Sequence, residues 1–137
     1  YYTDRSFESS LWHEKEIKMK NQIEEMEIYK KYTELYYYTY LITDKYPKSE
    51  KNSLVSDIKH ATYLGFTNII AAHKNYNKTE RLKYLNQLDT ELKVLKMLIR
   101  ISYKRKYINV YNYESWSRKI TNVSNLMGGW IRSCLKQ

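Results

Sequence analysis

The sequence predicts an all-α protein, specifically an up-down-up-down antiparallel four-helix bundle. Its 137 residues include one proline and three glycines, so few residues interrupt long helices. Apolar residues recur at intervals of three and four along four segments, which is the pattern of an amphipathic helix. The gaps between these segments are only a few residues long, so consecutive helices must run antiparallel. The length fits a single domain over residues 1–137, large enough to bury a core without disulfides or metal.

The first two predicted helices lie on either side of the only proline. The first is expected from about residue 18 to 44 and ends before Pro47, because a residue that precedes proline avoids the helical region. The second is expected over about residues 49–74, with Ser49 as its cap. Their core stripes are Ile28, Tyr32, Leu35, Thr39 and Ile42 in the first helix, and Leu54, Ile58, Ala61, Gly65, Ile69 and Ala72 in the second. Residues 1–17 lack a clear stripe and form either a tail or an extension of the first helix.

The third and fourth predicted helices each follow an asparagine. The third opens at Asn77, whose spacing to Glu80 resembles a capping box. The fourth starts near Asn109 and reaches the C-terminus. Their stripes are Leu85, Leu88, Leu92, Leu95, Ile99 and Ser102 in the third helix, and Tyr113, Trp116, Ile120, Val123, Met127, Trp130 and Cys134 in the fourth.

Two adjacent glycines, Gly128 and Gly129, fall just off the stripe of the fourth helix. A glycine inside a helix costs about 1 kcal/mol relative to alanine. Two in succession therefore indicate that another backbone or a partner comes close, and we expect this pair at an oligomer interface. The alternative is a frayed, loosely specified last turn.

The net charge of +9 is unevenly distributed. Residues 1–44 carry a net charge of −3, whereas residues 45–137 carry +12. Such asymmetry favours a polyanionic partner for the later part of the chain. Coding bias offers a different account, since 18 of the 24 basic residues are lysine and the chain is rich in residues of AT-rich codons.

A basic strip runs through the third helix and beyond it. Between Leu92 and Tyr113 there are six basic residues and no acidic one, and a second acid-free stretch follows Glu114. Residues four apart stack on one helix face, where like charges repel unless phosphates or carboxylates are bound. The candidate binding residues are Lys93, Lys96, Arg100, Lys104, Arg105, Lys106, Arg118, Lys119 and Arg132. A solvated face is the alternative, and for Arg100 an ion pair with Glu50 or Asp57.

The consecutive tyrosines Tyr36, Tyr37 and Tyr38 place aromatic rings around the first helix, beyond its core stripe. Stacking of nucleic-acid bases is one interpretation. Core or interface packing is the preferred one, because this region of the sequence is acidic.

The sequence contains no recognisable catalytic or metal-binding set. His13, His60 and His73 lack zinc-ligand spacing, and no phosphate-binding or nucleophile motif occurs. In one class of small helical ribonucleases an arginine precedes a histidine by a few residues, but here Arg5 precedes His13 by eight. We therefore expect a protein that is not an enzyme and holds neither a cofactor nor a metal.

Three segments resemble the accessory variability determinant (Avd) family of diversity-generating retroelements. They are Tyr46 to Lys51 with Leu54, the stretch from Leu92 to Ile101, and Leu126 to Ile131 with its Gly-Gly-Trp. Their order and spacing agree over residues 45–132. The sequence departs from the family pattern at Lys51, Asn52 and Val55, where an arginine, an aromatic residue and a glycine are usual.

The resemblance implies a four-helix protein that forms a ring, typically a pentamer, with a basic surface. Such a protein binds a reverse transcriptase and nucleic acid, namely template RNA with DNA as a further candidate, and supports mutagenic cDNA synthesis. The alternative is the four-helix protein type encoded by intervening sequences of ribosomal RNA genes, which would bind RNA or protein without a reverse transcriptase. No signal peptide or membrane span is visible and the single cysteine, Cys134, lies on the stripe of the fourth helix, so we expect a cytoplasmic protein.

Overall fold

Four α-helices make up most of the described chain. The structure, a computed structural model, describes Leu11 and residues 26–136. The helices are α1 (Glu27–Thr43), α2 (Leu54–Lys74), α3 (Lys78–Lys104) and α4 (Val110–Leu135), and a short 3-10 helix (Lys48–Glu50) lies between α1 and α2. The described part of the chain contains no strand, so the predicted all-α class and the four helices are confirmed. Residues 1–17, and the stretch 18–25 predicted to begin the first helix, lie outside the described residues apart from Leu11.

The predicted starts of α3 and α4 are confirmed, and the predicted cap of α2 is wrong. The Asn77 side chain accepts a hydrogen bond from the Glu80 amide at 3.1 Å, and Asn109 accepts one from the Asn112 amide at 2.7 Å. Ser49 instead lies within the 3-10 helix, and α2 begins one turn later, after Ser53. The chain makes this extra turn because Pro47 holds extended backbone (φ −57°, ψ 145°) and the Glu50 amide then bonds to the Pro47 carbonyl.

The core is built from the predicted stripes of all four helices. Every residue of the predicted stripes of α1, α2 and α3 is buried. In α4 the stripe is also correct, except that Tyr113 and Trp130 are only partly buried. Trp116 is fully buried and donates its indole N–H to the hydroxyl of Thr39 at 3.1 Å. This bond satisfies the largest polar side chain of the core.

Each helix packs against its neighbours in sequence, and α4 also packs against α1. Tyr32 of α1 donates its hydroxyl to the carbonyl of Thr62 in the middle of α2. Trp116, near the start of α4, reaches Thr39 near the end of α1. Arg81, in the first turn of α3, lies 5.8 Å from the Trp130 ring in the last turns of α4. These contacts fit antiparallel neighbours in an up-down-up-down order.

Gly65 of α2 lies where α2 packs against α1. A Cβ atom added to Gly65 would overlap the hydroxyl of Tyr32 and lie 2.8 Å from its Cζ. Tyr32 is itself buried, and burial raises its pKa, so the phenol stays neutral. Gly65 therefore gives the Tyr32 ring the space it needs between the two helices. Among the described residues no helix is both long and apolar enough to cross a membrane.

Candidate nucleic-acid interface

Four of the nine predicted basic residues lie on the outer surface of α3, here called the α3 face: Lys93, Lys96, Arg100 and Lys104. All four are exposed, and the leucines of the same helix point into the core. Lys93 forms an ion pair with Asp89, one turn earlier, at 2.5 Å between Nζ and Oδ2. The charge of Lys93 is thus partly neutralised by a residue just before the acid-free segment.

The other three side chains of the α3 face have no carboxylate partner in the described part of the chain. The intrachain ion pair considered for Arg100, with Glu50 or Asp57, does not form there. Met97 lies between them on the same surface and is 66% exposed. The α3 face therefore presents three unneutralised cations over about 12 Å of helix, at a rise of 1.5 Å per residue.

Arg105 and Lys106 belong to the turn between α3 and α4 and are held by local contacts. The Arg105 guanidinium donates to the Tyr107 hydroxyl from Nη2 at 3.2 Å. The carboxylate of Glu50 lies in the same cluster, and its pKa is lowered by hydrogen bonds from Ser53 and then Tyr107, with a smaller contribution from Arg105. Arg105 thus links this turn to the 3-10 helix.

Lys106 has a backbone role in ending α3. Its φ of 64° places it in the left-handed region, where glycine is usual. The amide of Lys106 bonds to the Tyr103 carbonyl and that of Tyr107 to the Ser102 carbonyl. These two bonds form a Schellman motif, which satisfies carbonyls at the helix end.

The three predicted residues of α4 have different surroundings. Arg118 is exposed, whereas Lys119 lies toward α1, with its ammonium 4.7 Å from the centroid of the Tyr38 ring. Arg132 is fourteen residues beyond Arg118, about 21 Å along the helix. Of the nine predicted residues, four therefore share the α3 face, two lie in the turn after α3, and three lie on α4.

The comparison with known families found a match. The sequence model of a family described as bAvd-like matches residues 26–134, a range that contains α1, α2, α3 and all but the last residue of α4. This chain belongs to the bAvd-like family. No curated protein matches it. The resemblance that the three segments carry is thus confirmed.

The glycine pair of this bAvd-like chain leaves an open surface on α4. A Cβ atom added to Gly128 would have only the Arg132 guanidinium near it, at 3.4 Å, and one added to Gly129 would have the same group at 3.8 Å. Both positions lie inside α4, so the last-turn fraying considered as an alternative does not apply to the helix as described. Packing within one copy of the described chain gives no reason for glycine at either position.

A second basic cluster, here called the α1–α2 corner, was missed from the sequence. Lys48, Lys51 and Lys59 line a recess of about 170 Å³ beside the 3-10 helix. Lys59 Nζ also lies 4.5 Å from the centroid of the Tyr40 ring. The tyrosines of the first helix lie in an acidic region of the sequence, but the fold brings Lys59 of the second helix next to Tyr40.

Two of the three histidines lie in the described part of the chain, which contains no group of three His, Cys, Asp or Glu side chains placed to hold a metal ion. His60 is exposed, while the pKa of His73 is lowered by partial burial and by the nearby charge of Arg81. Arg81 is itself committed to the end of α2, since its Nε donates to the Ala72 carbonyl at 2.8 Å.

Proposed function

We propose that this protein is a non-catalytic accessory protein of a diversity-generating retroelement. It binds the reverse transcriptase and nucleic acid through its basic surface and supports mutagenic copying of template RNA. Membership of the bAvd-like family supports the accessory role. The observation that carries the binding surface is the α3 face, where Lys96, Arg100 and Lys104 have no carboxylate partner in the described part of the chain.

The chemistry of the α3 face suits a phosphate backbone or an acidic protein surface. Its cations lie on successive turns, so each repels the next by a few tenths of a kcal/mol, and bound anions would remove that repulsion. Arg100 can donate two parallel hydrogen bonds to one phosphate or carboxylate, which lysine cannot. The face has no arrangement for reading base edges, so binding here should show little sequence preference.

The decisive experiment replaces Lys96, Arg100 and Lys104 together by alanine. All three are exposed, so we expect the triple variant to fold as the wild type does. It should lose at least about tenfold in affinity for RNA or for the reverse transcriptase and should no longer support cDNA synthesis. With RNA, the slope of log K against log salt should fall by about 2, at roughly 0.7 for each lost contact to a single strand.

The matched control removes the same number of charges at the other end of α3. Lys74, Lys78 and Lys83 are exposed and lie around the turn between α2 and α3. Their triple alanine variant should keep cDNA synthesis near the wild-type level. A K96A/R100A/K104A variant that folds and still supports wild-type cDNA synthesis would remove the α3 face from the function.

The ribosomal intervening-sequence alternative predicts a different result. Under that reading the protein binds RNA but has no effect on a reverse transcriptase. Gene context separates the two readings at once, because only a retroelement accessory protein is encoded beside a reverse transcriptase with paired template and variable repeats.

A further inference from the structure

The α1–α2 corner combines a lysine-lined recess with exposed aromatic rings. Lys48 and Lys51 belong to the segment between α1 and α2, and Lys59 to the second turn of α2. None of the three has an ion-pair partner among the described residues, although Asp44 also lines the recess. Three lysines and one aspartate line this recess of about 170 Å³, so its net positive charge suits a phosphate or another small anionic group.

Aromatic side chains extend the corner along the groove between α1 and α2. The rings of Tyr36 and Tyr40 stack with centroids 5.1 Å apart, and Phe66 supports Tyr36 from below at 5.6 Å in edge-to-face geometry. Tyr63 follows Lys59 by one helical turn and is 55% exposed. Tyr40 is 39% exposed. Tyr40 lies beneath the Lys59 ammonium and Tyr63 one helical turn after Lys59, so two partly exposed aromatic rings accompany this lysine.

The Tyr36 phenol beside the corner is held neutral. The hydrogen bond between the hydroxyls of Tyr36 and Tyr40, together with partial burial, raises the pKa of Tyr36 to about 12. A nucleic-acid strand in the corner would therefore meet a neutral phenol at Tyr36. The aromatic rings can then contribute stacking without repelling the backbone.

We propose that the α1–α2 corner binds single-stranded nucleic acid, with phosphates held by Lys48, Lys51 and Lys59 and bases stacked on Tyr40 and Tyr63. The inference rests on the proposed function and deepens it, because it names unpaired bases as part of the ligand. A base on Tyr40 takes the place that the Lys59 ammonium now holds over that ring. The displaced ammonium remains beside the recess that Lys59 already lines.

The exposed Tyr63 ring, and the face of Tyr40 that now contacts only the Lys59 ammonium, favour a nucleic acid over an acidic peptide. Carboxylates of a peptide would engage the lysines alone, whereas a base offers a flat surface to each ring. The α3 face also has an aromatic neighbour, Tyr103, which is 40% exposed, but that ring stacks on Tyr113 of α4 with centroids 4.8 Å apart.

The test measures binding of three labelled probes to the isolated full-length protein by fluorescence polarisation. They are a twelve-nucleotide oligoadenylate RNA, an abasic oligomer of the same length and charge, and an RNA duplex. Y40L/Y63L should weaken oligoadenylate binding about tenfold, to the level of the abasic oligomer, and leave abasic and duplex binding within twofold of wild type. K48A/K51A should weaken binding of both single strands and lower the salt slope by about 1.4.

Matched variants around the turn between α2 and α3, away from the corner, control for surface and charge. Y76L removes an exposed tyrosine and is compared with Y63L, and K74A/K78A removes two exposed lysines. Neither should change oligoadenylate binding by more than twofold. Circular dichroism and thermal melting establish that each variant folds, and Y63L alone serves if the Tyr40 change disturbs the Tyr36 stack.

The inference is overturned if Y40L/Y63L, or Y63L alone, binds oligoadenylate as the wild type does or loses equal affinity for the abasic oligomer. The inference is also overturned if poly-glutamate displaces the abasic oligomer and the protein binds oligoadenylate no more tightly than the abasic oligomer. That result would indicate a site for an acidic peptide. The proposed function is tested independently of this inference. Its test is cDNA synthesis with the K96A/R100A/K104A variant, whereas binding of these probes requires no reverse transcriptase.

Discussion

At the scale of single residues, the glycine that the fold requires is Gly65. The periodicity placed Gly65 correctly on the stripe of the second helix. The sequence indicated a special role only for Gly128 and Gly129. The requirement comes from Tyr32, thirty-three positions earlier, whose hydroxyl reaches the Thr62 carbonyl across Gly65. Such a need cannot be read from spacing, because it depends on which rotamer a distant tyrosine adopts in the packed core.

Gly65→Ala should destabilise the protein by about 1–3 kcal/mol, the usual range for overpacking a filled core. The added Cβ would overlap Tyr32, and the backbone of α1 and α2 would have to separate. Urea unfolding followed by circular dichroism measures the loss. In a double-mutant cycle with Tyr32→Leu the cost of Gly65→Ala should fall sharply, because the shortened side chain frees the space. Equal costs in both backgrounds would show that Tyr32 is not the constraint.

At the scale of elements, helix cores were predictable and helix boundaries were only partly so. Each buried stripe follows from spacing alone, and the caps Asn77 and Asn109 follow from local chemistry. The start of α2 was not predictable, because only the fold shows that Ser49 lies within a 3-10 helix and that α2 begins after Ser53. In the structure the Ser53 hydroxyl donates to the Glu50 carboxylate at 2.8 Å rather than capping α2.

The same contrast holds for the candidate sites. The α3 face could be predicted because its cations share one helix at regular intervals. The α1–α2 corner could not, since it joins Tyr40, Lys48 and Lys59 from three different segments. Charge summed along the sequence describes residues 1–44 as acidic, whereas neighbours in space supply the lysines.

The turn after α3 provides the prediction at this scale. Lys106 occupies the left-handed position of the Schellman motif, which a residue with a Cβ adopts at a cost of about 1–2 kcal/mol. Lys106→Gly should therefore make the protein about 1 kcal/mol more stable than Lys106→Ala. The two variants lose the same charge, so thermal unfolding isolates the backbone term. Equal melting temperatures of the two variants would contradict a backbone cost at Lys106. If both variants bind RNA equally and more weakly than the wild type, the charge of Lys106 contributes to binding.

At the scale of the whole molecule, basic groups occur on several elements after α1. The α3 face belongs to α3, the lysines of the α1–α2 corner belong to residues 48–59, and Arg132 belongs to the last turn of α4. A ring of several copies would repeat each surface around an axis. Repetition of weak sites on one assembly raises the avidity for a long nucleic acid well above the affinity of any single site.

The assembly itself is the last prediction, and it concerns Gly128 and Gly129. Each costs α4 about 1 kcal/mol relative to alanine, and only the Arg132 guanidinium lies within 4 Å of either added Cβ in the described chain. We expect the open strip to pack against a second copy in a closed homo-oligomer. Light scattering should show Gly129→Leu as a smaller species than the wild type with the same helix content. Thr33→Leu, an exposed helical position on α1, is the matched control and should assemble normally. A wild-type monomer at micromolar concentration, or a Gly129→Leu variant of wild-type size, would contradict this role for the glycines.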